Sequence, residues 1–452
     1  MSSVLPLTVI EELMFHQDCA AYPYTCFIRL RFAGCLRRDE FEDAAAQAAE
    51  RHPMLLASIE PKSRRPRWRM HSRRSPSIEW RTEPVTEAFP AATYLELEQG
   101  GLRLIVVVGK ATSELIVQFH HACCDGLGIF QFIHDLLVLY ALAQDVAVRR
   151  AFPSYEPDRL PQRGTFGLTW RKFFAMAGKQ SVGLRGVRQF LARSPAPLIP
   201  HEREASKAPT PDVYPAACAE HFVADVSAGL REQAASLGVT TNDLLARDLF
   251  VAMTKFRRRR NLSEDAWLRL MVPMNLRNTA DRRLPAANVV SSVFLDRRGT
   301  DVDDRAQLLA SIHDEMQLIK DNELGFTFVF SLHFNRLVPG GLRRAAVGNR
   351  CNASAIFTNL GKLLSRTGLP KDGESLVCGN VRLDGIEILA PLTPYTCAAF
   401  AAGWLGNRLS LTLHHDPRVL SAEHARELLD LFAAQVHSTA GVSLSPSCGH
   451  SG

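Results

Sequence analysis

Between residues 151 and 215, prolines fall at positions 153, 157, 161, 195, 197, 200, 209, 211 and 215. Proline lacks an amide hydrogen and is disfavoured in helix interiors and strand ladders, so this segment differs in kind from its flanks. The prolines bracket one helical stretch, about 165–194, rich in Arg, Lys and Phe. This segment reads as a crossover between two lobes. It divides the chain into a first lobe over 1–150, a crossover over 151–215, a second lobe over 216–440 and a tail over 441–452. The tail's ending, SLSPSCGHSG, reads as disordered. A length of 452 residues favours two or three domains, and 46% hydrophobic residues suffice for more than one core.

The flanking pattern is α/β. Tyr24, Cys26, Ile28, Leu30 and Phe32 alternate and predict a strand over 22–34. A helix follows over about 39–51, stopped by Pro53. Residues 102–109 and 114–120 predict an antiparallel hairpin, and 126–143 a helix. In the second lobe, Ala219–Val223 predicts a strand. A helix capped by Ser227 and stopped by Gly238 comes next, then one over about 242–257. Strands at 267–273 and 288–295, a helix at 304–320 and strands at 381–389, 397–404 and 408–414 follow. A last helix capped by Ser421 buries Leu428, Leu429, Phe432 and Val436.

Several classes drop out. The apolar run Leu136–Ala143 is far short of the roughly 20 residues that span a bilayer. The start, MSSVLPLTVIEELMF, lacks the order of a signal peptide, so a cytoplasmic location is expected. The ten cysteines contain no CxxC, and reduced thiols are expected. The net charge of +6 is unevenly placed, with clusters at 64–69, 73–74, 257–260 and 343–344. Arg257–Arg260 reads as a solvated helix end. Such clusters otherwise suit an anionic partner: coenzyme A phosphates, an acidic carrier protein or an anionic membrane surface. No helix-turn-helix or aromatic-basic interleaving accompanies them, so nucleic acid is not expected. The crossover helix reads as a linker with a solvated face, with a membrane-facing flap for lipid acceptors as the alternative.

The chemistry concentrates in His120-His121-Ala122-Cys123-Cys124-Asp125-Gly126, directly after a strand. A neutral imidazole can take a proton from an attacking hydroxyl or amine, provided it is held rigidly beside a cavity. Alternation puts His120 and His121 on opposite faces, so only one can serve. Asp-Gly turns the chain into the next helix, and a helix start near the ring disfavours its cation. A cysteine nucleophile at 123 or 124 is the weaker alternative; small residues filling a tight turn explain the pair. His414-His415-Asp416 reads as a strand end at a surface, and no spacing calls for a metal site.

This HHxxxDG pattern resembles the signature of the coenzyme A-dependent acyltransferase superfamily, which includes chloramphenicol acetyltransferases, condensation domains of non-ribosomal peptide synthetases and wax ester synthases. Other stretches resemble it in type and order: Arg51-His52-Pro53-Met54-Leu55, Thr241-Asn242-Asp243-Leu244-Leu245, Val272-Pro273-Met274-Asn275-Leu276-Arg277 and Phe357-Thr358-Asn359-Leu360-Gly361. The DFGWG motif of the plant branch is absent. The resemblance implies two chloramphenicol acetyltransferase-like lobes, each a mixed sheet flanked by helices, with a tunnel between them.

It further implies that His121 is the catalytic base and His120 structural. Asp125 would hold the loop by pairing with Arg277, Gly126 would let the loop pass close by, and Thr358, Asn359 and Gly361 would face the substrate across the tunnel. The implied reaction moves an acyl group from acyl-coenzyme A or acyl-phosphopantetheine to a hydroxyl or amine, with no permanently bound cofactor and no metal. A carrier protein would come from outside, peripheral membrane contact stays open, and a monomer is the default. The alternative is a catalytically silent relative that binds a carrier protein or a lipid.

Overall fold

The structure is a computed structural model that describes residues 4–60, 66–71, 74–149, 152–166, 168, 170–201, 207–348 and 350–441. Most of the tail, together with Arg64, Arg65 and Arg73 of the basic clusters, lies outside the described residues.

Two large mixed sheets organise the chain. The first has seven strands in the order Lys371–Asp372, Ser375–Cys378, Val381–Leu389, Thr25–Ala33, Thr112–His120, Leu102–Val108 and Ser77–Thr82. The second has six, in the order Val290–Arg298, Trp267–Asn275, Ala355–Leu363, Ala398–Leu405, Arg408–His415 and Ala216–His221. Helices flank both. The first core gathers Leu30, Leu104, Val117, Phe132 and Leu136, all fully buried. The second gathers Phe250, Leu270, Phe357, Phe400 and Phe432, also fully buried. A fully buried side chain of this size stabilises by roughly 1.5–3 kcal/mol.

The hairpin forms as the alternation predicts, with Leu102–Val108 antiparallel to Thr112–His120. The crossover helix spans Trp170–Ala192. Ser421 caps the last helix through a hydrogen bond from the His424 amide. Three readings change. Ser227 lies inside the helix Ala224–Ser236 rather than at its start, because its hydroxyl is taken by the amide of Leu409 at 3.0 Å. His414, His415 and Asp416 are buried, not at a surface. The two imidazoles donate from Nδ1 to the carbonyls of Ala390 and Leu420 at 2.7 and 2.8 Å, and burial pushes His414 down to about 4. Arg257 is also buried, donating to the Pro197 and Leu198 carbonyls at the end of the crossover.

The strand Val381–Leu389 follows the second-lobe strand Ala355–Leu363 in the chain, yet pairs antiparallel with Thr25–Ala33 in the first sheet. Charge locks that pairing. Arg29 is fully buried and opposes Glu387 in register. Its guanidinium meets Glu114 at 2.6 Å and Glu387 at 3.5 Å. The half-buried Arg31 reaches the same two carboxylates at 3.4 and 3.3 Å. Arg408 from the second sheet donates to the Asp384 carbonyl at 2.9 Å, so this strand ties the lobes together.

Arg29→Ala leaves two buried carboxylates that share Arg31, with His221 beside Glu387 at 3.2 Å. Removing a partner from a buried pair costs about 3–5 kcal/mol, and the shared Arg31 puts the expected loss near the lower figure. The urea unfolding midpoint is expected to fall accordingly; an unchanged midpoint would show that the cluster does not hold the sheet.

Candidate active site

The strand Thr112–His120 carries the motif out of the first sheet. Its last residue pairs with Thr25, and the His121 amide still donates to the Tyr24 carbonyl at 3.0 Å. A turn closes when the Cys123 amide donates to the His120 carbonyl at 3.0 Å. Ala122, Cys123 and Cys124 are fully buried, and burial pushes both thiols up, away from the nucleophilic thiolate. The turn is tight enough to require Gly101, where a Cβ would lie 2.1 Å from the Cys123 sulfur.

Asp125 then caps the helix Gly126–Leu142, its Oδ1 accepting from the Gly128 amide at 2.9 Å. Its Oδ2 accepts from Arg277 Nη1 and from the Val289 amide, each at 2.7 Å. Arg277 also donates to the Ala287 carbonyl at 2.9 Å. The structure thus brings Asp125 and Arg277 together, one on each side of the lobe junction. Gly126 plays a different part from the turn-former expected of it. It is an ordinary first helical residue, and a Cβ there would meet Leu360 at 2.8 Å. The segment Thr358–Gly361 therefore packs on the motif. The ladder between Ala355–Leu363 and Ala398–Leu405 breaks register between Asn359 and Lys362, at the point where Leu360 reaches Gly126. Asn359 Oδ1 accepts from the Gly361 amide at 2.9 Å, and Thr358 is buried.

The two histidines diverge as alternation requires. His120 is fully buried. Its Nδ1 accepts from the Ala122 amide at 3.1 Å, and its Nε2 faces Asp18 at 3.4 Å. Asp18 also accepts from the Tyr24 amide and the Tyr94 hydroxyl. Burial raises the Asp18 carboxyl, but His120 and these hydrogen bonds outweigh it and hold it below the usual range.

His121 is partly exposed. Its Nδ1 lies 3.1 Å from the Cys124 carbonyl. A carbonyl can only accept, so Nδ1 carries the proton and Nε2 presents its lone pair. Burial of the ring lowers its pKa, outweighing the hydrogen bonds and the Asp125 charge that raise it. Desolvation, rather than the helix start, is the main force keeping this imidazole neutral.

Two further residues support the site: Asn288, which no sequence motif marks, and His52, which the sequence offers without a role. Asn288 Nδ2 donates to the His121 carbonyl at 2.7 Å, fixing the backbone of that residue. Its signal is a lone amide in the apolar stretch Ala286-Ala287-Asn288-Val289. His52, fully buried, accepts from the Ala286 amide at 3.0 Å and meets Asp135 of the motif helix at 3.2 Å. The Arg51-His52 pair thus braces that helix.

A cavity of about 1580 Å³ lies beside the site. The helix Val9–Gln17 and Tyr24 line one side, and the strand Val290–Arg298 and helix Arg305–Asp321 line the other. The crossover helix contributes Val182, Gly186, Gln189 and Phe190 among others. His121 is not among the lining residues. Tyr24 is, and its ring centroid lies 5.9 Å from that of His121. Among the described residues, no group of three or more His, Cys, Asp or Glu is placed to hold a metal ion.

No protein-family model matches the sequence, and no match was found among curated proteins. Solved structures share its fold. The first condensation domain of the CDA synthetase superposes with a TM-score of 0.70 at 13% identity, covering 97% of this chain and 96% of that one. A variant of the starter condensation domain of rhizomide synthetase, in complex with C8-CoA, gives 0.64 at 13% identity, over 97% and 95%. The epimerization domain from the third module of tyrocidine synthetase B gives 0.64 at 12% identity, over 98% of each chain. The chain therefore has the two-lobed fold of these condensation domains.

Because Asp125 and Arg277 act as a unit, their losses are expected not to add. Arg277→Ala strands a buried carboxylate, at a cost of about 3–5 kcal/mol. The double variant Asp125→Ala/Arg277→Ala should lose less than the sum of the singles by about 1–3 kcal/mol. Strict additivity in denaturant unfolding would disprove the coupling.

Proposed function

We propose that the protein transfers an acyl group from a thioester to a hydroxyl or amine, with His121 as general base. The observation that carries this reading is the committed tautomer of His121. Nδ1 is held by the Cys124 carbonyl, Nε2 keeps its lone pair, and burial disfavours the cation. The backbone beneath the ring is fixed from the second lobe by Asn288.

In this reading Nε2 takes the acceptor's O–H or N–H proton as the acceptor's heteroatom bonds to the thioester carbonyl carbon. The tetrahedral oxyanion collapses, the C–S bond breaks, and the imidazolium returns the proton to the leaving thiolate. No acyl-enzyme and no cofactor bond is required. Asn359 suits the orientation of substrate or oxyanion. Its Oδ1 is occupied by the Gly361 amide, which leaves the Nδ2 hydrogens as the donors it can offer. Thr358 and Gly361 belong to the same substrate-side segment. The rhizomide synthetase domain holds C8-CoA, which makes an acyl-coenzyme A a fitting donor; a carrier-bound acyl-phosphopantetheine presents the same thioester.

Epimerization, the activity named for one neighbour, asks for more. It removes a proton from one face of a carbon and delivers one to the other, which calls for a second acid or base. The carboxylate next in sequence, Asp125, is occupied by Arg277, Val289 and Gly128. A single base that passes one proton from acceptor to leaving group fits acyl transfer better. The second reading, a silent protein that only binds a carrier protein or a lipid, draws support from the absence of His121 from the cavity lining. For acyl transfer the imidazole has to reach the cavity past Tyr24, the lining residue whose ring lies 5.9 Å from its own.

Release of free thiol from a panel of acyl-coenzyme A donors, with alcohols and amines as acceptors, separates the two readings. His121→Ala is expected to slow release by about 10²–10⁴-fold; equal rates for the two proteins would refute the base. The lowered pKa of His121 keeps Nε2 unprotonated below the ordinary value of 6.5. The acid limb of kcat/KM should therefore fall below that pH, with activity flat above it until another group titrates. A limb centred well above 6.5 would count against a desolvated imidazole.

A further inference from the structure

Two long stretches of the chain contain no acidic residue. Residues 159–201 hold eight Arg or Lys and no Asp or Glu; residues 324–371 hold seven and none. The fold makes them neighbours. Thr327 Oγ1 donates to Gln180 Oε1 at 2.8 Å, and just before the second stretch the Asp321 carbonyl accepts from Lys179 Nζ at 3.0 Å. Gly183 lets the crossover helix close on Thr327, which a Cβ would meet at 2.4 Å.

Large apolar side chains stand out from this basic face. Phe334 and Leu337 are 76% and 80% exposed at the end of the helix Gly325–Leu337. Three residues apart, they share one side of it. Val338 follows, half exposed, and Pro339-Gly340-Gly341 turns the chain, with Gly340 at a φ of 64°. The next helix, Gly341–Ala346, presents Arg343 and Arg344, both exposed. Neither has a carboxylate partner among the described residues, whereas Arg336 meets Glu12 at 3.0 Å. On the crossover helix, Leu184 and Leu191 are 67% and 60% exposed and lie two turns apart, beside exposed Arg185 and Arg188. Asn335 and Arg344 also line the large cavity.

A bare phenylalanine and leucine gain nothing for folding, and a cluster of such residues marks an interaction surface. We propose that this face docks on an anionic phospholipid bilayer, with Phe334, Leu337 and Val338 inserted at the interface and Arg343 and Arg344 on the headgroups. Charge selects the partner. The two stretches that build this face carry basic residues and no acids, which complements an anionic leaflet, and protruding apolar residues beside cations are the arrangement of interfacial anchors. Among the described residues no helix is long and apolar enough to cross a membrane, so the contact is peripheral. Docking in this orientation brings the cavity rim at Asn335 and Arg344 to the level of the headgroups. The proposal does not depend on acyl transfer.

Flotation with phosphatidylcholine vesicles, with and without about one-third phosphatidylglycerol, tests it. The wild type should float with the anionic vesicles, and much less with phosphatidylcholine alone or in about 0.5 M salt, where screening is short-ranged. A basic residue near an anionic leaflet is worth roughly fivefold in partition, so Arg343→Glu/Arg344→Glu should weaken binding roughly twentyfold or more. Phe334→Ser/Leu337→Ser should weaken it at least about tenfold with an unchanged melting temperature, since both side chains are exposed. His121→Ala should float like the wild type. A wild type that stays in solution, or either double variant floating as well as wild type, overturns the proposal. So does a wild type that ignores vesicles yet forms a complex with an acidic carrier protein that both double variants lose, which would assign the face to a protein partner.

Discussion

A single buried carboxylate organises this molecule. Asp125 accepts from its own helix at Gly128, from the amide of Val289 and from the guanidinium of Arg277. The first belongs to the N-terminal half and the other two to the C-terminal half, so the motif loop is positioned by both at once. A helix N-terminus favours a negative charge, and Arg277 supplies a charge-assisted partner. The anion is therefore well compensated despite its burial. The residue beside Val289 completes the clamp, since Asn288 holds the His121 carbonyl. Consecutive residues of one segment thus fix both the structural carboxylate and the backbone of the candidate base.

The protein contains several histidines in similar chemical dress. His121, His414 and His415 each point Nδ1 at a backbone carbonyl, and burial lowers the pKa of all three. What separates them is access: His414 and His415 are buried, while His121 is partly exposed at the lobe junction. His120, one residue away, uses the opposite tautomer. Its Nδ1 accepts from the Ala122 amide and its Nε2 turns toward Asp18. Pleat alternation makes this division, and the hydrogen-bond partners then set each ring's proton.

Local signals made much of this architecture legible. Alternation over 22–34 and a hairpin over 102–120 emerge as strands Thr25–Ala33, Leu102–Val108 and Thr112–His120. The pairing of Asp125 with Arg277 came from resemblance, since 152 positions separate the two and no periodicity joins them. What could not be read was non-local. The destination of 381–389 depends on a buried Arg29 finding Glu387, a choice no window of sequence contains. The strand Ala355–Leu363 hides behind Gly361 and a register break. The helices Gly325–Leu337 and Gly341–Ala346 escaped notice because the apolar residues of the first are split between core and surface. Ser227 differs from its sequence reading because the Leu409 amide, which binds its hydroxyl, arrives from far along the chain.

The borrowed strand at 381–389 has a consequence for biosynthesis. A ribosome releases the chain from the amino end, so Thr25–Ala33 emerges long before the partner that will cover its free edge. Until then that edge shows unpaired amides and carbonyls along a hydrophobic ribbon, a template on which another nascent chain can add. The amino-terminal half cannot be completed by severing the polypeptide at its proline-rich middle. Recombining such halves between relatives would have to carry the returning strand along with the sheet it closes.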